Sequence, residues 1–368
     1  MTTTPNTPAP EPTPGQGQNR CAGEGESPQR IVLDTMPALG GLYAKAAAGT
    51  TARAATLGMR RAFKGLPLPV PGKGARAGSR SGRSNPRLPD VEIVVPAVEV
   101  KAPEHRAFCE VVGARIRATS TGAGSGTEVF SGYLHALAFP AAMVLLTRKD
   151  FPLPTVGLVH LANAVTQTET VLEGDLLQVN VRAENLRPHR AGTAVDVVAE
   201  LRRSPDAPPI WVGRSVYLAR GTRIPGAEDS RSTDSGTTTQ SAAGDGTRPE
   251  FVPPVPTARW QLGADTGRKY AAVSGDVNPI HLSGPSAKAL GMKGAIAHGM
   301  YTASRALALL DTSAPLTWEV EFATPLVLPG SAAVAVQRDG RGENLRSATV
   351  TVWNAKKRKP HATISVTR

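Results

Sequence analysis

The sequence predicts an α+β protein in which one plan, a helix followed by an antiparallel meander, is used twice. Between Val91 and Gly221, helix-like stretches precede four short β-rich runs separated by Gly, Pro, Asn and Asp. The stretch from Phe251 to the C-terminus repeats that order. The likeness extends to individual residues: Thr168 to Gly174 reads Thr, Glu, Thr, Val, Leu, Glu, Gly, and Thr324 to Gly330 reads Thr, Pro, Leu, Val, Leu, Pro, Gly, each followed by alternating strand residues. A helix ahead of a meander implies a sheet with one face against that helix.

Taken in order, residues 1–28 are rich in Thr, Pro, Gly and Glu, lack periodicity and are expected to be disordered. Residues 29–90 form a partly helical segment and a basic linker. Leu33, Met36, Leu39, Leu42 and Tyr43 give the helical pattern, interrupted by Gly40 and Gly41. The first folded unit, 91–221, opens with alternating Val and Glu. A short helix is predicted around Glu104 to Val112 and a longer one from Tyr133 to Leu146, ahead of strands at 156–165, 176–185, 193–202 and 210–218. Residues 222–250 have almost no apolar content and read as a linker. The second unit, 251–368, carries a helix near Thr266 to Val273, a loop around Asp276, a long helix from about His298 to Leu310, and strands as far as Val366.

Composition narrows the function classes. A chain of 368 residues that is 40% hydrophobic and 20% charged is long enough for two cores. Its two cysteines, Cys21 and Cys109, support neither a disulfide framework nor a Cys-rich metal site, which fits a reducing, cytoplasmic setting. The N-terminus lacks the basic-then-apolar layout of a signal peptide, and the longest apolar stretch, Leu134 to Leu146, contains Pro140 and is too short to span a bilayer. The net charge of +12 is concentrated in Arg53 to Arg87, with a second run at Lys356, Lys357, Arg358 and Lys359. These runs carry no finger, homeodomain or RNA-recognition signature, so a solvated basic linker is expected and nucleic acid is not. Basic residues near a pocket mouth would suit the phosphates of a ligand.

The chemistry lies in the run Ser274, Gly275, Asp276, Val277, Asn278, Pro279, Ile280, His281. On one continuous helix Asp276 and His281 would be rotated by roughly 140° and could not share a substrate. Pro279 breaks the helix, because it lacks an N–H and pushes Asn278 toward extended backbone. The segment therefore reads as a loop that aims a carboxylate and an imidazole, a candidate acid/base pair, into one cleft. Asp265 reads as a helix cap, His298 as a contributor to the cap or the loop packing, and His160 as part of the first unit's packing.

The string from Tyr270 through Ser274, Gly275, Asp276, Asn278, Pro279, Ile280 and His281 to Ala287, with Ile296, Ala297, His298, Gly299 and Met300 beyond it, resembles the signature of the MaoC-like dehydratases, or (R)-specific enoyl-CoA hydratases. The likeness extends more loosely over about residues 30–368. It implies a double hotdog, two bent antiparallel sheets each wrapped around a central helix and paired edge to edge, with the first unit as the degenerate half. That half has no dyad: Ala114, Arg115 and Ile116 follow where the second unit has Gly-Asp, and no His stands at the matching distance. One site per chain is expected, with the first unit free to widen the acyl pocket for medium or long chains.

The resemblance implies reversible hydration of trans-2-enoyl thioesters and dehydration of (3R)-hydroxyacyl thioesters, with Asp276 and His281 sharing a water. Gly299, opening a helix, would offer its N–H to the thioester oxygen, and Asn278 would orient the loop or substrate. No cofactor or metal is expected. Acyl-CoA is the expected substrate, with a (3R)-hydroxyacyl-ACP dehydratase, a hotdog thioesterase and a non-catalytic acyl-binding module as alternatives. A monomer that is already a pseudo-dimer, or a homodimer, would serve.

Overall fold

The computed structural model describes residues 28–43, 87–121, 124–224, 250–340 and 344–368. The expectation of disorder for 1–28, most of the basic segment 53–87 and nearly all of the 222–250 linker lie outside these residues. Strands β1 (Gln29–Val32) and β2 (Val91–Glu99), with helix α1 (residues 39–43) between them, lead into α2 (Ala102–Val112) and the hairpin β3 (Arg117–Thr121) and β4 (Gly124–Glu128). Helix α3 (Ser131–Leu146) and strands β5 (Leu158–Gln167), β6 (Leu176–His189), β7 (Gly192–Arg202) and β8 (Trp211–Arg220) complete the first half. The second half comprises β9 (Ala258–Leu262), α4 (Thr266–Ser274), α5 (Pro279–Leu282), α6 (Gly284–Ala289), α7 (Gly299–Ala308), β10 (Leu316–Phe322), β11 (Gly330–Asp339), β12 (Ser347–Asn354) and β13 (Lys359–Thr367).

All strands except β3 and β4 join one sheet in the order β1-β2-β6-β7-β8-β5-β10-β13-β12-β11-β9. Leaving β1 aside, each half has its own first strand outermost (β2, β9), its second at the centre of the sheet (β5, β10) and the other three between. The halves meet through antiparallel pairing of β5 with β10, with Thr166 opposite Thr317. The similar heptapeptides found in the sequence precede or enter β6 and β11, which occupy corresponding places in this order.

Helix α3 is apolar nearly all round because it is buried nearly all round, with 12 of its 16 residues inside. It packs against β2, β6 and β7. Fully buried Leu134 and Leu145 lie in the same core as Ile93, Leu177, Trp211, Trp318 and Ile364, so one apolar cluster runs through both halves. Each such side chain contributes about 1.5–3 kcal/mol of burial. The Trp318 indole on β10 donates to Ser131 Oγ on α3 at 3.0 Å, which satisfies its buried N–H and ties the halves together. At the entry to α3, buried His105 accepts the Phe130 N–H at 3.0 Å through Nε2 and pairs with Glu173 at 2.8 Å through Nδ1.

One sequence expectation needs correction. Residues 29–32, inside the segment read as helical, form a strand parallel to β2, with Ile31 opposite Ile93. The open edge of β2 supplies partners for that backbone, and tertiary pairing outweighs local helical pattern. The β3–β4 hairpin carries no strand signal in the sequence, because its Thr, Ser and Gly residues give no apolar alternation. No helix among the described residues is long and apolar enough to cross a membrane.

Candidate active site

Helix α4 ends at Ser274, and Gly275 turns the chain with a left-handed φ of 74°. Glycine is favoured there because side chains rarely adopt that conformation, and the space a Cβ would take is filled by Leu39 Cδ1. The Asp276 carboxylate Oδ1 then accepts the Asn278 N–H at 3.2 Å, and Asn278 Oδ1 accepts the Ile280 N–H at 3.4 Å as the N-cap of α5. Pro279 occupies the first turn of α5, where its missing N–H costs nothing. The segment expected to be a loop is thus a four-residue break, 275–278, followed by a new helical turn that carries His281. This re-aiming brings the two side chains together: ligand-type atoms of Asp276, His281 and His298 all lie within 4.8 Å of one another.

The polar groups of the cluster are held by named partners, except His298 Nδ1, which is buried without one. His281 Nδ1 lies 2.8 Å from the Ile296 carbonyl, which holds its proton on Nδ1 and leaves Nε2 as an acceptor. Burial, and then the neighbouring His298, lower the His281 pKa to about 3, so the ring is neutral near pH 7. His298 Nε2 donates to the Asp276 carbonyl at 2.8 Å and its ring stacks on His281 with centroids 3.7 Å apart. The Asp276 side chain keeps 27% of its surface open. Burial works against the carboxylate, but the adjoining His298 and His281 and the hydrogen bonds from Tyr43 and the Asn278 N–H outweigh it, and the pKa lies below the ordinary aspartate value. The spacing of Asp276, His281 and His298 would suit three metal ligands. Yet the His298 nitrogen facing Asp276 spends its proton on a carbonyl and has no lone pair to offer.

Gly299 opens α7 on the cavity wall, with His298 at the N-cap. A Cβ there would stand 3.0 Å from the Phe322 ring, so the absent side chain makes room for a neighbouring aromatic. Asp265 does stand at the N-cap of α4, but its side chain makes no cap hydrogen bond and pairs with Lys269 at 2.8 Å.

Sequence reasoning missed several residues around the dyad. Tyr43, from the segment ahead of the first half, donates its hydroxyl to Asp276 Oδ1 at 2.5 Å. His160, assigned to packing, faces the cavity from a bulge in β5, with its ring 4.6 Å from Tyr217 and its Nε2 without a partner. His135 on α3 stacks 6.0 Å beyond it. Burial lowers the pKa of His160 to about 3 and that of His135 to about 4. No local pattern marks these residues, because sheet pairing between distant strands sets their convergence.

The cavity holding these groups has a volume of about 640 Å³ and draws its wall from both halves. Phe139, Met143 and Tyr217 of the first half face Ile280, His281 and Phe322 of the second, and Arg190 and Arg220 also border it. The exposed run 356–359 lies at the β12–β13 turn and does not line it.

Comparison with known proteins gives a consistent picture. The family model described as a MaoC like domain matches residues 240–358. The 3-hydroxyacyl-thioester dehydratase X of Mycobacterium tuberculosis is 32% identical over 282 residues, covering 76% of this chain and 90% of that protein. The crystal structure of HtdX from the same organism aligns with a TM-score of 0.58 at 30% identity, covering 75% of this chain and 98% of that one. A MaoC-like dehydratase aligns with a TM-score of 0.53 at 18% identity over 74% of this chain and 95% of its own, a likeness of fold.

Proposed function

Because the chain belongs to the MaoC-like dehydratase family, we propose that it is a hydro-lyase acting on trans-2-enoyl and (3R)-hydroxyacyl thioesters, with Asp276 and His281 as its acid/base pair. The observation that carries this reading is the meeting of the Asp276 carboxylate and the unprotonated His281 Nε2 on one cavity. A water between them would donate one hydrogen bond to each. In hydration its oxygen bonds to C3, the C2–C3 double bond opens toward C2, and the proton released to the pair is returned to C2. Dehydration runs the same steps in reverse. Negative charge gathers on the thioester oxygen in both directions, and the Gly299 N–H at the positive end of α7 is suited to receive it. Asn278 acts on the loop: as N-cap of α5 it fixes the turn on which His281 sits.

The relative whose name specifies a 3-hydroxyacyl-thioester dehydratase supports this substrate class. CoA is the favoured carrier. Arg190 and Arg220 at the cavity would suit phosphates of either CoA or the acyl carrier protein arm, so the alternative carrier is tested beside it. The first half supplies the far wall of an acyl pocket, consistent with medium or long chains.

The deciding measurement is loss of enoyl-thioester absorbance on CoA and carrier-protein substrates, with Asp276→Asn and His281→Ala as controls. Hydration abolished by both substitutions is expected. Activity that survives both would defeat the dyad, and release of free thiol would identify a thioesterase instead.

A further inference from the structure

Residues 29–43 lie across the molecule before the first half begins. Strand β1 adds to the β2 edge, the Leu33 N–H continues that pairing to the Val94 carbonyl at 2.8 Å, and Met36, Leu39 and Leu42 pack on the common core. Leu39 fills the space left by the missing side chain of Gly275, immediately before Asp276. Tyr43 then reaches the carboxylate of a residue 233 positions later in the chain.

Both hydrogen bonds found on that carboxylate fall on the same oxygen, Oδ1, from the Tyr43 hydroxyl at 2.5 Å and the Asn278 N–H at 3.2 Å. Oδ2 lies 3.8 Å from His298 Nε2, whose proton goes to the Asp276 carbonyl. One oxygen is therefore held by two donors, and the other is left beside His298 with neither of them. We infer that Tyr43 is a positioning residue: it fixes the rotamer of Asp276 so that Oδ2 is the oxygen that exchanges a proton with water. The N-terminal segment thereby steadies a dyad whose two members, Asp276 and His281, both come from the second half. Tyr43 does not itself give up a proton, since burial, and next the charge of Asp276, hold its hydroxyl far above the ordinary tyrosine range. This role rests on the reading of Asp276 as a catalytic group.

The test is Tyr43→Phe, which removes one oxygen and keeps the ring. The titratable groups around Asp276 are His281 from α5, His298 ahead of α7, His135 from α3, His160 from β5, Tyr217 from β8 and Tyr270 from α4. All remain in the variant, so a moved acidic limb reports the Asp276–His281 pair, of which only the carboxylate loses a donor. Losing a hydrogen bond to the carboxylate raises its pKa. We expect the acidic limb of the kcat profile to move up by about one unit, kcat at neutral pH to fall about tenfold and KM to change by less than about twofold. Wild-type kcat with an unmoved limb would overturn the role, and so would an equal loss at every pH accompanied by a lower melting temperature. Asp276→Asn, assayed alongside, separates the two levels: if it retains hydration, the dyad itself fails, whereas an inactive Asp276→Asn beside an unaffected Tyr43→Phe defeats only the positioning role.

Discussion

The imidazoles of His281 and His298 stack with centroids 3.7 Å apart, each anchored through one nitrogen to a backbone carbonyl, Ile296 for the first and Asp276 for the second. Burial first, and then the neighbouring His298, disfavour charge on His281, which stands as a neutral acceptor. Removing that acceptor should remove general acid–base catalysis. His281→Ala is expected to lower kcat by about 10²- to 10⁴-fold with a smaller change in KM, read from enoyl-thioester absorbance. A loss below about threefold would be incompatible with the role proposed for Nε2.

Gly299 gives a steric prediction. Its missing Cβ lets the Phe322 ring approach to 3.0 Å from where that atom would stand, and Phe322 in turn packs 5.2 Å from His160. Gly299→Ala requires the ring edge to give by a few tenths of an ångström. A stability loss of about 1–3 kcal/mol is expected from overpacking, with kcat reduced although the backbone N–H remains. Denaturant titration and steady-state kinetics check the two parts separately.

Acid sensitivity follows from the buried histidines. The pKa values of His281 and His160 are lowered to about 3 and that of His135 to about 4, against an unfolded value of 6.5. Between pH 6.5 and these folded values the unfolded chain binds more protons, so stability rises with pH across that window and is lost as pH falls through it. Each group contributes a slope of at most about 1.4 kcal/mol per pH unit. Asp276 has the same sign lower down: its depressed pKa favours the folded state above the unfolded aspartate value, and that contribution is lost as pH falls through the folded pKa. The melting temperature should fall steadily from pH 6.5 to pH 4. A flat profile over that range would show that these rings are charged in the folded protein.

The first half's role as pocket wall can be tested on α3. Met143 is 3% exposed and borders the cavity. Met143→Trp should fill the acyl end and raise KM for thioesters of about eight carbons or more, with little effect on the four-carbon substrate, beyond an overpacking cost of about 1–3 kcal/mol. Equal effects on all chain lengths, or a wild-type enzyme active only on crotonyl-CoA, would remove the argument for a long-chain pocket.

Much of the second half was legible because its signals are local. Pro279 after Asn278 forces a break in the chain whatever surrounds it, and the Ser274-to-His281 string keeps its acid and base within one short segment. The repeat was legible too, since residues entering β6 and β11 meet the same turn-then-strand requirement. The failures have a common cause. Residues 29–32 open the segment read as partly helical yet form a strand because the β2 edge was open, and His160 packs on its neighbouring rings as expected but does so on the wall of the cavity.

The sequence by itself determined the α+β plan, the duplication, and the kink that separates Asp276 from His281, because sterics and periodicity act over a few residues. Only the tertiary structure decided which groups surround that pair. Tyr43, His135, His160 and Tyr217 arrive from elements far apart in the chain, brought together by the pairing of β5 with β10 and by the lie of residues 29–43 across the molecule. Contacts of that range depend on which surfaces bury one another, and no short stretch of chain carries that information.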